Sequence, residues 1–492
     1  MYDAVIVGAG HNGLAAGVLL ARAGWKVLIL ESQPEPGGAV RTAEVTLPGF
    51  RHDLYATNLN AFAGSAFFQE FRDELKAQGL ELVRCPKPFC SAFPDSDVLG
   101  VTTSLDETLA DLARLSAHDA RAWRRLTERF KRVGPRLLGV LRQPMPSRHI
   151  FKMPLAGLGL AAQSSGGFVK RHFEHPKAQA LMAVWGMHLD YPPRVVGGAL
   201  YPFLACMLAQ ANGLALGRGG ARNMIDAMAG LLREKGGELR CSSPVSEVLI
   251  ERGAATGVIV QGERIAARRA VIANVTPTVL FRLTREHASL AKARRYRYGP
   301  GTMMLHLALS DLPDWRNARA KQFAYVHIAP SLEAMSRAYE QAKSGVLPEE
   351  PVLIVAQPTV ADPSRAPQGR HVASIQVRCV PPAMDKEAYA DRIIALAERY
   401  APGLSQRVLG RHVISPADLE RANPNLVGGD NIAGSHHLDQ HFMFRPFLGW
   451  SRYQTPILRL HLCGASTWPG AGTGAGSGWL LGNMLAGVRI TG

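Results

Sequence analysis

Cysteine is scarce. The 492-residue chain has six (Cys85, Cys90, Cys206, Cys241, Cys379, Cys463), and no two of them form a C-x-x-C pair. That excludes a disulfide framework, a dithiol redox centre and a cysteine-rich zinc site, and it predicts a reduced, cytoplasmic setting. Acidic residues are also few: 40 against 56 Lys and Arg, a net charge of +16. An anionic partner is therefore expected, whether an acidic substrate, nucleic acid or an anionic membrane face. Long apolar runs are absent. The nearest approaches are two uncharged stretches, 195–217 and 463–488. The first contains Gly197, Gly198, Pro202, Gln210 and Asn212, and the second is rich in glycine. Neither is expected to cross a bilayer; both read as buried segments lining a cavity. The first residues lack the basic and small-residue pattern of a targeting leader. What remains is an ordinary globular composition, 47% hydrophobic and 20% charged, long enough for two or three domains.

The first thirty residues carry most of the information. Asp3–Val7 reads as a short β-branched strand that runs into Gly8-Ala9-Gly10-His11-Asn12-Gly13. Leu14–Ala23 has helical composition, and Lys26–Leu30 is a second apolar strand ending at Glu31. This is a βαβ unit with G-x-G-x-x-G at its first turn. Gly8 permits the tight turn, Gly10 lets the backbone approach a pyrophosphate, and Gly13 lets helix and strand pack closely. The helix start offers free N–H groups to phosphates. Glu31 stands where a carboxylate accepts ribose hydroxyls, and a 2′-phosphate would be repelled there, which disfavours NADP at this site.

A second glycine pair, Gly37-Gly38, follows with Arg41 and Thr42 close behind. Near the other end, Ile457–Leu462 reads as a strand leading into Cys463-Gly464-Ala465-Ser466-Thr467-Trp468-Pro469-Gly470, more glycine, and an apolar helix over Trp479–Val488. Too few residues follow to complete a second βαβ unit with its ribose acid. The segment is therefore expected to complete the first site, and a bound NAD(P) as a second cofactor is not expected.

These three motifs together resemble the phytoene desaturase-like FAD oxidoreductases, which include carotenoid desaturases and isomerases and retinol saturases. The likeness is greatest to the branch called pyridine nucleotide-disulfide oxidoreductase domain-containing protein 2. It rests on Asn423-Pro424-Asn425, Gly428-Gly429-Asp430, Ser435-His436-His437-Leu438-Asp439-Gln440 and Arg445-Pro446. Trp468 stands where a histidine is common in the group, and the missing C-x-x-C argues against disulfide chemistry despite that branch's name. The resemblance implies FAD as cofactor and an α/β fold. That fold is a discontinuous Rossmann-type (glutathione reductase-like) FAD domain over 1–70, 217–285 and 425–492, with an α+β substrate or cap domain over 71–216 and 286–424. It implies cofactor contacts at Gly8, Gly10, Gly13, Glu31, Gly37, Gly38, Arg41, Gly464, Ala465, Ser466, Pro469 and Gly470. Val245 is carried over as an adenine contact, although a plain core-strand role fits its position equally well.

The middle of the chain suits that plan. Met224–Glu234 is an amphipathic helix, followed by short strands at Glu238–Cys241, Val245–Glu251, Thr256–Gln261 and Arg269–Asn274. In the cap, Ser104 and Ser116 each open a helix as the first residue of a capping box. The second of these helices carries an apolar stripe of Trp123, Leu126, Phe130, Val133, Leu137 and Val140. From Arg114 to Lys152 there are eleven Lys or Arg and two acids. Either this helix lies on an anionic membrane beside a cavity mouth, or it is a solvated cap helix whose stripe faces the core. Nucleic acid is the least favoured partner, because no known binding fold accompanies the charge.

A flavin carries the electron chemistry, so the chain need supply only orientation, water exclusion and a base. His436, His437 and Asp439 are the candidate catalytic residues. Trp185, His188, Tyr191, Gln440 and Trp468 are candidate pocket residues. The 435–440 cluster could equally be a hydrogen-bonded loop tying the cap to the flavin domain. No metal-ligand pattern, nucleophile elbow or phosphate-binding lysine loop is present. The favoured expectation is hydride removal from an apolar or alicyclic substrate with formation, or isomerisation, of a C=C bond. An amine or alcohol oxidase and a mainly binding flavoprotein are the alternatives.

Overall fold

The computed structural model describes residues 1–147 and 159–490. Two seven-stranded sheets organise it. The first has a parallel core in the order Glu238–Arg240, Val27–Leu30, Tyr2–Val7, Glu263–Ala273 and Leu460–Leu462. Its central strands are apolar over Ala4–Val7 and Val27–Leu30 and buried on both faces there, as parallel strands covered by helices must be. The eleven-residue strand Glu263–Ala273 serves twice. Its second half joins the parallel core, and its first half folds back with Ala254–Val260 and Val245–Glu251 into an antiparallel meander. The helices His11–Arg22, Arg222–Glu234 and Gly476–Leu485 share one apolar cluster against this sheet.

The second sheet runs Val408–Ile414, Gly301–Leu309, His371–Val380, Val352–Ala356, Tyr325–Ile328, Phe89–Ala92 and Val98–Val101. One face packs on the helix Lys386–Glu398. The other meets a helical layer that includes Ala117–Leu141, Pro176–Ala183 and Leu200–Asn212. The molecule is thus an α/β nucleotide-binding lobe joined to an α+β lobe, the expected class. A buried ionic cluster fastens the two. Arg365 donates to Asp53 (2.6 Å), Asp362 (3.1 Å) and the Gly217 carbonyl (2.8 Å), while Asp53 accepts from the Ala221 N–H (2.7 Å). Burying such charges is tolerable only because each is paired and hydrogen-bonded.

The basic helix answers the membrane question in part. Trp123, Leu126 and Leu137 are buried, and Phe130 and Val133 pack beside them. The stripe therefore faces the core. Its outer face is cationic, with Arg121, Arg124, Arg125, Lys131, Arg132 and Arg136 exposed. The end of the basic stretch, 148–152, lies outside the described residues. Among those described, no helix is long and apolar enough to cross a membrane.

Both expected serine caps are present, Ser104 accepting from the Glu107 N–H (3.3 Å) and Ser116 from the Asp119 N–H (3.2 Å). The reciprocal half of a capping box is not made at either. Asp119 turns instead to the Glu174 and His175 N–H groups at 2.8 and 2.9 Å.

Candidate functional site

The nucleotide end is built from glycine and one asparagine. Gly8 has φ +95°, and a Cβ there would lie 3.0 Å from the Asn274 carbonyl. At Gly13 a Cβ would stand 2.3 Å from the Gly8 carbonyl oxygen and 2.8 Å from Asn274 Nδ2. Asn274 Nδ2 donates to that same Gly8 oxygen at 3.0 Å. Gly8 and Gly10 keep their outer surface accessible while Gly13 is buried, so the loop presents bare backbone outward.

Glu31 is buried beside it. One oxygen accepts from the Ala9 N–H (2.8 Å), the other from the Gln33 N–H (3.0 Å) and the Ser32 hydroxyl (3.2 Å). A carboxylate has about four acceptor positions, so one remains for a ribose hydroxyl. The Ser243 N–H donates to the Glu31 carbonyl (2.7 Å), which brings the Pro244–Val245 corner alongside. Gly37 donates its N–H to the Ala9 carbonyl (3.0 Å), and a Cβ on Gly38 would stand 3.4 Å from the Gly10 α-carbon. The second glycine pair therefore lies against the first. Arg41, next along, has a buried Nε with no hydrogen-bond partner among the described residues. A buried donor left unpaired is costly, and a phosphate or other oxygen-rich group is what it fits.

The C-terminal segment joins this same site. Gly464 (φ +114°) comes so close to Asn274 that a Cβ would lie 2.9 Å from Oδ1. Asn274 thus touches the glycine turns of both motifs. The helix Gly476–Leu485 lies on His11–Arg22 with no gap: a Cβ on Gly478 would be 1.9 Å from the Asn12 carbonyl oxygen, and the Gly478 N–H donates to Asn12 Oδ1 (3.2 Å). Ala465, Pro469 and Gly470 are partly accessible. Ser466 is buried, with its hydroxyl turned inward to the Val275 carbonyl (3.4 Å), so only its backbone is available to a cofactor.

The polar loop before this segment behaves as a brace. His436 Nε2 accepts from the Ala471 N–H (3.1 Å), and the Tyr191 hydroxyl donates to the His436 carbonyl. Burial, then Arg445 and His441, holds the His436 pKa well below the ordinary value. It is neutral with its lone pair committed, so it shapes the glycine loop and offers no free base. His437 donates from Nε2 to the Asp190 carbonyl (2.8 Å), and the Asp190 carboxylate accepts from Ser435 (2.6 Å). Asp439 is an exposed partner of Arg297 (2.6 Å). Gln440 spends its amide on the Arg297 backbone and the Ser435 carbonyl, at 2.8 to 3.1 Å. Trp468 is wholly buried, with its indole N–H on the Gln143 carbonyl (2.8 Å). Both side chains are thus held by the surrounding backbone, Gln440 by Arg297 and Ser435 and Trp468 by Gln143.

Arg445, fully buried, clamps this brace to the flavin segment. It donates to the Ser435 carbonyl (2.9 Å) and to the Ala465 carbonyl (2.7 Å). Asp430 receives the Gly299, Ile432 and Gly434 N–H groups, and burial still raises its pKa. Trp185 and His188 belong to a separate cluster with His327, beneath which the buried Arg378 donates to the Met187 and His188 carbonyls (3.0 and 3.2 Å). No sequence motif pointed to Arg378, His327 or Arg365. Asn274 had a faint signal, a polar residue closing an apolar strand just upstream of a Thr-Pro helix start.

A model of the flavin containing amine oxidoreductases matches residues 13–476. The chain belongs to that family. It is an FAD-dependent oxidoreductase. The rat pyridine nucleotide-disulfide oxidoreductase domain-containing protein 2 is 28% identical over 97% of this chain and 92% of that protein. A limonene dehydrogenase component of Castellaniella defragrans is 28% identical over 98% and 94%. The neurosporene-forming phytoene desaturase of Cereibacter sphaeroides is 24% identical over 95% and 91%. A solved oxidoreductase from Methanosarcina mazei has the same fold, with a TM-score of 0.63 at 17% identity over 98% and 99% of the two chains. In this flavoprotein the Gly8–Gly13 turn would hold the FAD pyrophosphate, Glu31 its ribose and Arg41 an oxygen near Gly37-Gly38, with the backbone of 464–470 completing the cradle. The FAD supplies the two-electron acceptor.

Proposed function

We propose that this flavoprotein dehydrogenates an apolar or alicyclic substrate, which loses a hydride and a neighbouring proton as a C=C bond forms; a redox-neutral double-bond shift is the close variant. One observation carries this over amine oxidation. The charged group bonded to the backbone beneath the Trp185–His188 cluster is a cation, Arg378, with the Asp190 and Asp430 carboxylates at longer range. Among the described residues it has no carboxylate within ion-pairing distance and only neutral oxygens as partners (Met187, His188, Thr302 and Asn431). An ammonium substrate would be repelled there; an uncharged one would not. The names of the limonene- and phytoene-converting relatives support the same substrate class.

Peripheral contact with an anionic membrane belongs to this reading, supported by the cationic outer face of Ala117–Leu141. A cytoplasmic setting does too, supported by six unpaired cysteines.

Anaerobic bleaching of the flavin band tests the proposal. Cyclic ketones and polyenes delivered in liposomes should bleach it and yield a product with a new double bond. Bleaching by amines or simple alcohols alone would move the assignment to an oxidase.

A further inference from the structure

Where the helical turn Val184–Leu189 covers the strand Tyr325–Ile328, four rings meet. Trp185 stacks on His188 with ring centres 4.6 Å apart, and stands edge-on to Phe89 (5.0 Å) and His327 (5.2 Å). The two histidines meet through a single contact, Nε2 to Nε2 at 3.3 Å. One nitrogen must donate and the other accept. His327 is fully buried, and its Nδ1 has no partner among the described residues. His188 packs against His327 yet keeps part of its surface accessible. Tyr201, on the helix Leu200–Asn212, is also partly accessible.

Burial decides the tautomer. If His188 donated, the His327 proton would sit on Nδ1, a buried N–H with nothing to receive it. Orphaned buried N–H groups are rarer and costlier than unfilled lone pairs. With His327 donating, its Nδ1 is a bare lone pair and His188 Nε2 accepts. The His188 proton then sits on Nδ1, on the ring that is partly accessible. Burial, with His327 and Arg378 nearby, keeps His188 neutral. The neighbourhood is short of acceptors in general, for the buried Trp185 N–H has none either among the described residues.

We propose that His188 Nδ1–H is the hydrogen-bond donor to the carbonyl oxygen of a ketone-type group on an otherwise apolar substrate. This rests on the dehydrogenase reading for the substrate's skeleton and deepens it by adding the oxygen. A pure hydrocarbon would leave the donor unpaired, and an acceptor-only oxygen is what surplus donors fit. A carbonyl held this way has a more acidic adjacent C–H, the bond that a neighbouring dehydrogenation must break.

The test uses the FAD-loaded enzyme with tert-butylcyclohexanone, isotope-labelled at the carbonyl, and with tert-butylcyclohexane, the same skeleton without oxygen. In difference infrared spectra the bound ketone should absorb at lower frequency than in hexane. His188→Phe should return the band to the hexane position and weaken ketone binding about tenfold, with hydrocarbon binding unchanged. His188→Gln, which keeps a donor N–H, should retain most of the shift and so separates a lost donor from a damaged fold. A wild-type band at the hexane position, no bound-ketone band at all, or equal losses for ketone and hydrocarbon in His188→Phe would overturn the proposal. A shifted band without flavin bleaching would keep the donor and discard the dehydrogenation. Bleaching by the hydrocarbon with no shifted band would do the reverse.

Discussion

Asp53 and Arg365, 312 positions apart in the chain, share a 2.6 Å hydrogen bond with essentially no solvent access to either side chain. Asp53 belongs to the segment after the second glycine pair, and its other oxygen takes the Ala221 N–H and the Thr42 hydroxyl (2.6 Å). Arg365 comes from beside the second sheet. The pair is the bolt between the lobes, and removing one half strands the other. Arg365→Met should lower unfolding stability by about 3–5 kcal/mol, read from urea titration of the purified holoenzyme.

Asn274 reaches both glycine turns, so it should matter to flavin retention more than its ordinary appearance suggests. Asn274→Leu removes the bond to Gly8 and should weaken FAD binding about tenfold or more. Gly13→Ala, with its Cβ forced to 2.3 Å from the Gly8 carbonyl oxygen, should yield protein without flavin. The absorbance ratio of flavin to protein after gel filtration distinguishes both from wild type.

Acid should destabilise the fold early. Burial pushes His327 and His441 down to about 3, and His52 and His461 down to about 4. In the unfolded chain these rings take up protons near pH about 6.5, while the folded ones stay neutral. The unfolded state then binds more protons, so stability falls as pH falls. It is fully present above about 6.5 and is lost progressively toward about 4, each ring costing about 1.4 kcal/mol per pH unit. Urea midpoints measured from pH about 7 to about 5 should drop steeply; a flat profile would contradict neutral burial.

The cationic outer face of Ala117–Leu141 should bind anionic vesicles through charge alone, because its apolar stripe is committed to the core. Cosedimentation with anionic vesicles should fade between low and physiological salt, and neutral vesicles should not bind. A triple change, Arg124→Glu, Arg125→Glu and Arg132→Glu, should abolish binding without lowering the urea midpoint. Salt-insensitive binding would mean that some other apolar surface inserts.

The sequence disclosed what depends on short-range spacing. The strand, glycine turn, helix and terminal Glu31 lie within thirty residues, and each residue type has one physical use there. Side-chain direction was not legible. Trp468 and Gln440 look like pocket residues in a string, and only packing shows that the Gln143 carbonyl and the Arg297 backbone hold them. The Asp119 capping box went half-made for the same reason, because two distant N–H groups compete for the carboxylate. Arg378, His327 and Arg365 take their meaning from partners far along the chain, which no local pattern encodes.

The seam between the first and last helices has a consequence for how the protein is made. Asn12 and Gly478, 466 positions apart, meet with no space for even a methyl group. The opening βαβ unit therefore waits on the ribosome with one flank bare until the closing helix emerges. FAD loading should then wait for the Gly476–Leu485 helix to emerge, and products stalled before it should accumulate as cofactor-free, chaperone-bound species.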